Sequence, residues 1–551
     1  MKIMSFNMRG WGNSAKRRRL SLLLKSGVYD MCLLQETKRI SFDDCMIHNL
    51  WGHNDIEWVF KESRGLSSGM LSVWNKDLFS FRYSFSGDSY LSVCVEWKNG
   101  LLYIINVYSP CNMSGKRKLW SDLINLKLNN EPGEWCLGGD FNSVTKVGER
   151  KGCNGAAGQS ERAEFSQFID AFELVDLPLV CKKFTWFNSD GSAMSWLDRF
   201  LLSEGFIEKG NFTNQWVGDR DISDHCPIWL SCSNLNWGPK PFKFNNCWLQ
   251  HPDFFEFVKQ TWENMDIQGK KAFVLKEKLR KMKDNLKVWN REVFGILDLN
   301  IDKTVKELNE VEEVLANGLN DPITTNPSEL VTKFWEQLHF KENLIHQKSR
   351  TKWIQEGDSN TRYFHACIKG RRRRNQIVFL KKGNSLIQGV AEIKEEVKDH
   401  FSRHFTKEWS SRPFLQVIAF DTLSADDNAL LLEPFEEEEV KETIWSCDGS
   451  KSPGPDGFNL IFFKVCWPIV KYDVMAFLRE FHASVCLPKV VTASFLTVIP
   501  KKDHPQDLFD YRPICLIGSL YKILSKLLAN RLKRVLGKVI SNFQSAFLPH
   551  R

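Results

Sequence analysis

Six short pieces of the first 230 residues place an acid, an amide, a phenol or an imidazole beside an apolar run. They are Ser5-Phe6-Asn7, Gln35-Glu36-Thr37, Asn106-Val107-Tyr108, Gly138-Gly139-Asp140-Phe141-Asn142, Trp196-Leu197-Asp198-Arg199-Phe200 and Ser223-Asp224-His225. Singly, each has an ordinary reading: an Asp after Gly-Gly is a turn residue, a Glu caps a strand, a His before Cys-Pro is a satisfied core residue. Together they supply what hydrolysis of a phosphate ester needs. Glu36 and Asp224 can hold a hard divalent cation through oxygen, which neutralises phosphate charge and stabilises a leaving oxygen. Asp140 can orient and deprotonate the attacking water, and Asn142 can hold that water or a phosphate oxygen without adding negative charge. His225 can donate to a phosphoryl oxygen while Asp198 fixes its tautomer.

Such residues converge only if strands end at one place. Apolar runs bounded by Gly, Asn, Asp and Ser predict strands at Val28–Leu34, Met70–Trp74, Tyr90–Trp97, Leu101–Tyr108, Trp135–Leu137, Phe184–Phe187, Trp196–Leu202 and Cys226–Leu230. So many strands in one stretch imply two packed sheets. Helical spacing at Lys16–Lys25, Lys116–Leu128 and Arg162–Phe172 adds helices between them, so residues 1–232 read as a layered α/β sandwich. Around Asn234–Pro241 the strand texture stops. Residues 233–432 then read as a mostly helical, basic connector, with apolar positions at Leu275, Leu279, Met282 and Leu286. Its densest basic cluster, Arg371–Arg374, suits a phosphate backbone, a nuclear import signal or plain solvent exposure.

The chain has 551 residues, 42% hydrophobic and 26% charged, the balance of several folded domains rather than of a disordered chain. Its net charge of +8 is uneven: 27 basic residues meet 27 acidic ones in residues 1–230, so the whole excess lies downstream. The 15 cysteines form no CxxC pair, which gives neither a zinc site nor a disulfide framework. No apolar run reaches the roughly 18 residues of a membrane span, and the expectation is an intracellular, non-secreted protein without a membrane partner.

The segment order IMSFNMRG, LLQETK, INVYSP, LGGDFN, SWLDRF and ISDHCP resembles the exonuclease III/DNase I-like endonuclease/exonuclease/phosphatase superfamily over about residues 1–232. The resemblance implies a four-layer α/β sandwich and Mg²⁺-dependent phosphodiester cleavage leaving a 3′-hydroxyl, with Mn²⁺ as an alternative ion. Within the superfamily the chain looks like LINE-type non-LTR retrotransposon polyproteins, especially of the plant kind. TKWIQEGDSNTRYFHACIKGRRRRNQI resembles their connector, and KSPGPDGF, TVIPKKD and DYRPICLIGSLYKILSKLLANRL resemble the opening finger motifs of their reverse transcriptase. Residues 433–551 are accordingly expected to be an incomplete reverse transcriptase, fingers only. The partners implied are chromosomal DNA, which is nicked, and the element's RNA, with action in the nucleus.

Carried over by resemblance, Asn7 and Glu36 sit by the metal with Asp224 assisting, and Tyr108 contacts the phosphate. Asp140 and Asn142 handle the nucleophile, and Asp198 pairs with His225. Thr185 lines the DNA-facing surface, and Arg199, Lys116 and Arg117 are expected to bind DNA. Two departures matter. Arg9-Gly10 follows Asn7 where repair-type relatives carry an acid, and Trp196 stands where many retroelement relatives carry a basic residue.

With the neutral balance of residues 1–230, only local clusters such as Lys16–Arg19 and Lys116–Lys118 can neutralise phosphates. Ser424-Ala425-Asp426-Asp427 looks like the paired aspartates of a polymerase palm. It precedes the finger motifs, however, and reads as a helix start, so no reverse-transcriptase activity is expected. Phe462, Phe463, Leu524 and Leu527 are expected to be left exposed by absent packing partners. Two other readings stand beside the nuclease: a catalytically inactive nucleic-acid-binding remnant, and a phosphodiesterase for inositol phosphates or sphingolipids, against which the finger-like motifs argue.

Overall fold

A computed structural model describes residues 1–52, 55–64, 67–152, 158–232, 235–295, 297–316, 326–349, 361–383, 385–406, 421–502, 505–540 and 543. It divides into two compact units. The first comprises Met1–Trp237, Arg373–His404 and Pro500–Tyr511, and the second Gly238–Arg372, Phe405–Ile499 and Arg512–Arg551. Part of the connector motif, residues 351–360, and the last residues of the chain lie outside the described residues.

In the first unit the chain runs β1 (Lys2–Asn7), α1 (Ser14–Gly27), β2 (Met31–Gln35), α2 (Asp44–Trp51), β3 (Ile56–Arg64), β4 (Ser67–Asn75), β5 (Ser80–Gly87), β6 (Tyr90–Trp97), β7 (Gly100–Tyr108), α3 (Met113–Asn129) and β8 (Glu134–Asp140). It continues through β9 (Arg150–Lys151), α4 (Gln159–Ala171), β10 (Leu174–Asp176), β11 (Leu179–Val180), β12 (Trp186–Phe187), β13 (Met194–Ser195), β14 (Asp198–Ser203), α5 (Glu204–Gly210), β15 (Phe212–Val217) and β16 (Ile228–Cys232). One sheet has the order β11-β15-β16-β1-β2-β4-β3 and the other β10-β14-β8-β7-β6-β5.

Three apolar clusters define four layers. Leu20 and Leu24 of α1 and Ile47 and Leu50 of α2 cover the outer face of the first sheet with Phe6, Leu34 and Leu71. Ile3, Leu33, Trp74, Val93, Ile104 and Phe200 fill the space between the sheets. Leu119 and Leu123 of α3 and Phe165 and Phe168 of α4 cover the second sheet. Both faces of the central strands are therefore dry, which is why β6 and β7 read as nearly continuous apolar runs. Gly138 is required by this closeness: a Cβ there would lie 2.5 Å from Phe200 and 2.9 Å from Leu33 across the sheet interface.

Register decides which strand ends meet. β1 and β2 run parallel with Asn7 opposite Gln35. β7 and β8 run parallel with Tyr108 opposite Asp140, and β14 returns antiparallel with Asp198 opposite Asp140. β3, β5 and β15 were not foreseen. β5 is an edge strand whose first five residues are exposed, so no apolar alternation marks it.

The second unit is helical, beginning with α6 (Phe254–Glu263) and α7 (Lys271–Trp289). Its core joins Phe244, Leu275, Leu279, Met282 and Leu286 to Phe458, Phe462, Phe463, Val470, Leu524 and Leu527. This overturns the expected exposure: Phe462, Phe463 and Leu527 are fully buried and Leu524 nearly so, because α6 and α7 supply the packing partners. The expected division at 432/433 likewise cuts through one core, and Arg373–His404, expected in the connector, clusters with the first unit. Ser424 caps the helix Ala425–Leu432 reciprocally with Asp427, as a helix start should. Among the described residues no helix is long and apolar enough to cross a membrane.

Candidate active site

The strand ends bring together Asn7, Glu36, Tyr108, Asp140, Asn142, Asp198 and His225, with Asp224 beside them. Asn7, fully buried, donates from Nδ2 to Glu36 Oε1 and to Asp140 Oδ2, 3.1 Å in each case. One amide thus ties the end of β1 to carboxylates following β2 and closing β8. Tyr108 donates its hydroxyl to the same Glu36 oxygen at 2.8 Å. Burial, with Glu36 alongside, holds that phenol well above its ordinary pKa. Glu36 has φ +49°, a left-handed turn out of β2 that swings its carboxylate toward Tyr108.

Asp140 is 2% exposed. Its Oδ1 accepts from the Asn142 backbone N–H at 2.9 Å, in a turn where Asn142 itself has φ +49°. The Asn142 side-chain amide donates from Nδ2 to the Ser109 carbonyl at 2.8 Å. Burial pushes the Asp140 carboxyl up to about 6, against the opposing pull of His225. His225 Nδ1 lies 2.8 Å from Asp198 Oδ2, and its Nε2 lies 3.8 Å from Asp140 Oδ2. Burial disfavours the imidazolium, yet Asp198 and then Asp140 outweigh that penalty and hold His225 up to about 9. The imidazole therefore sits between two buried carboxyl groups that favour its protonated form.

Several residues act through the backbone. Thr185 is fully buried, and its Oγ1 accepts from the N–H groups of Leu197 and Asp198 at 3.1 and 3.0 Å, while its carbonyl accepts from Cys226 N–H at 2.7 Å. It fixes the backbone on both sides of the Asp198–His225 pair. That corrects its expected place on a DNA-facing surface. Ser223 performs a similar task that the sequence reading missed: its Oγ donates to the Asn7 carbonyl at 2.8 Å and accepts from His225 N–H at 3.2 Å. Beneath the site, Gln35 Nε2 bridges Ser5 Oγ and Asn106 Oδ1 at 3.0 and 2.8 Å, and Asn106 Nδ2 reaches the Leu34 carbonyl at 3.1 Å. These amides lock the two sheets together under the strand ends.

Two of the three expected DNA-binding cations, Arg199 and Lys116, are buried rather than on the surface. Arg199 is fully buried and paired with Asp176 at 2.6 Å and Glu149 at 3.1 Å, its guanidinium 4.5 Å from the centroid of the Trp196 ring. It is a core ion pair, and Trp196 is its buried platform rather than a vacant phosphate contact. Lys116 is also buried; Nζ donates to the Asn142 carbonyl at 2.6 Å and to Glu161 at 2.7 Å, steadying the loop after β8. Arg117 is exposed but bound bidentately by Glu164 at 2.6 and 2.8 Å. Asp224, expected near the metal, accepts from Trp186 Nε1 at 3.1 Å and forms an ion pair with Arg9, whose left-handed backbone (φ +51°) lets it reach. In the cluster Arg371–Arg374, Arg373 pairs with Glu204 at 2.9 Å.

The donor chemistry fits a hard divalent cation. Asn7, Glu36 and Asp224 offer only oxygen, as such an ion requires. Glu36 Oε2 faces Lys38 Nζ at 3.5 Å, and Asp198 Oδ1 is buried without a hydrogen-bond partner. Asp140, Asp198 and His225 also bring one ligand atom each within 4.8 Å of one another. There the set includes an imidazole nitrogen, whereas Asn7 and Glu36 offer oxygen alone, which makes them the better seat for a hard cation.

A family model described as Endonuclease/Exonuclease/phosphatase family matches residues 4–225. Across its whole length the chain is 22% identical to the Transposon TX1 uncharacterized 149 kDa protein of Xenopus laevis, spanning 43% of that protein. Over 115 residues, 20% of the chain, it is 30% identical to the Retrovirus-related Pol polyprotein from type-1 retrotransposable element R1 of Bradysia coprophila, spanning 12% of it. The chain thus covers less than half the length of either relative. Among solved structures, the endonuclease domain of TRAS1, a telomere-specific non-LTR retrotransposon, aligns over 43% of this chain and 99% of its own, at 12% identity and a TM-score of 0.33. Residues 4–225 of this chain thus match the Endonuclease/Exonuclease/phosphatase family model, on a chain similar over its length to the Transposon TX1 protein and over 115 residues to the R1 polyprotein.

Proposed function

We propose that the chain is a Mg²⁺-dependent DNA endonuclease that nicks one strand and leaves a 3′-hydroxyl, as the first step by which a LINE-type element inserts itself. The observation that carries this reading is the buried Asp140–His225–Asp198 centre, set at strand ends beside Asn7, Glu36 and Tyr108. Asp140, oriented by the Asn7 amide and the Asn142 backbone, accepts a proton from the attacking water, whose position Asn142 Oδ1 helps to hold. The new P–O bond forms as the bond from phosphorus to the 3′ oxygen breaks, and that oxygen takes up a proton from solvent. His225, kept protonated by Asp198, donates from Nε2 to a non-bridging phosphoryl oxygen, and the Tyr108 hydroxyl stands by to contact the phosphate. Asn7 and Glu36, with Asp224 adjacent, would hold a divalent ion, which would supply charge neutralisation to the phosphate and the leaving oxygen. Mn²⁺ satisfies the same oxygen donors.

The test is conversion of supercoiled plasmid to relaxed circles by the full chain, with and without Mg²⁺, beside the Asp140→Asn variant. Relaxation that needs the metal and drops at least a hundredfold in the variant supports the reading. An untouched plasmid with well-folded wild type sinks it and favours the inactive nucleic-acid-binding remnant, with Arg9 holding Asp224. A DNA substrate places the protein's work in the nucleus and makes the element's RNA a further partner, which crosslinking in cells addresses.

A further inference from the structure

The first unit contains a groove of about 720 Å³ between α1 and α2, lined by Trp11, Arg17, Arg18, Lys25, Arg39 and, on its apolar side, Met46 and Leu50. Its walls are fixed: Ser21 Oγ of α1 donates to the Leu50 carbonyl at 2.8 Å, and Trp11 is buried with its N–H on the Thr37 carbonyl at 2.9 Å. Four cations face it, and no carboxylate lines it. Other cations of this unit are matched, among them Lys116 by Glu161, Arg117 by Glu164, Lys118 by Asp88, Lys127 by Glu173 and Arg199 by Asp176. None of Arg17, Arg18, Lys25 and Arg39 forms an ion pair with a carboxylate among the described residues. Although the charges of residues 1–230 sum to zero, this groove gathers four cations with no facing carboxylate.

The groove also opens from the loops that carry the site. Gly10 N–H meets the Glu36 carbonyl, so the turn after Asn7 and the turn after β2 are stitched together where Trp11 and Arg39 begin the groove. Along α1, Arg18 and Lys25 are seven residues apart, ~10 Å at ~1.5 Å per residue. A DNA strand advances ~3.4 Å along the axis per phosphate, so this span matches about three successive phosphates. Guanidinium groups suit phosphate oxygens bidentately.

We propose that this groove is a second nucleic-acid contact, binding the phosphodiester backbone of the DNA strand several nucleotides away from the bond that is cut. The proposal rests on the endonuclease reading for the choice of DNA. It makes target affinity depend on flanking length, since a duplex too short to reach α1 gains nothing from the groove.

The experiment uses the full chain carrying Asp140→Asn, without metal, so that binding is read without cleavage. Anisotropy of a short and a long labelled duplex is followed against salt for this protein and for the same protein with Arg18→Gln, Lys25→Gln and Arg39→Gln. On the long duplex the expected result is a salt slope shallower by about 2–3 and an affinity at least tenfold weaker at low salt, with the short duplex little changed. The single Arg18→Gln change, at an exposed position, should lower the slope by about 1 and guards against misfolding of the triple variant. An unchanged slope, an equal loss on both duplexes, or no DNA binding by the parent overturns the proposal. The two readings separate cleanly. A reduced slope with an inert wild-type chain keeps the groove and removes the nuclease, whereas nicking with an unchanged slope does the reverse.

Discussion

Thr185 shows how much of the site is held by a residue that touches no substrate. Replacing its hydroxyl with a methyl, Thr185→Val, leaves the N–H groups of Leu197 and Asp198 buried and unpaired, at a cost of about 1–3 kcal/mol each. Denaturant unfolding should show that loss, with Thr185→Ser restoring most of it. His225 gives a pH prediction for the metal-free chain. Its folded pKa of about 9 stands above its ordinary 6.5, so its ionic contribution is complete below pH 6.5 and is lost as pH rises through 9. Melting temperature should fall across that window, and Asp198→Asn should flatten the dependence. The candidate site residues were legible because each is a polar residue at or near the end of an apolar strand. Thr185 and Ser223 were not legible as positioning residues, since a hydroxyl acting on backbone leaves no charge or spacing to read. Arg199 misled for the opposite reason: a cation beside a candidate catalytic Asp reads as surface until its two acid partners, more than twenty residues away in sequence, are seen.

At the level of elements, the central strands were readable from their apolar runs and the edge strand β5 was not, because exposed residues carry no such pattern. Gly138 belongs to this scale. A Cβ at that point would strike the Phe200 ring and the Leu33 side chain, so Gly138→Ala must displace them where β8 delivers Asp140. Nicking activity should fall more than tenfold while the duplex affinity contributed by α1 changes little, as parallel activity and anisotropy measurements would show. In the second unit, α7 was legible as amphipathic but its partner was not. Leu279→Ala removes a side chain packed in that core and should cost about 2–5 kcal/mol by denaturant unfolding.

For the whole molecule, the shared core of residues 244–294 and 435–527 forbids a cut at the expected boundary. A chain ending at residue 432 would bare the faces of Leu275, Leu279 and Met282, and should bind a hydrophobic dye strongly and self-associate in sedimentation, which the full chain should not. No local pattern could announce that core, because its halves are separated by more than a hundred residues of different texture. The same feature has a consequence during synthesis. Leu286 leaves the ribosome well over two hundred residues before Leu524, which at ~5–20 residues per second leaves α7 waiting roughly 10–50 s for the helix that covers it. The first sandwich strands can pair as they emerge. The helical unit cannot, so translation pace and holding chaperones govern how much of this protein reaches its folded state.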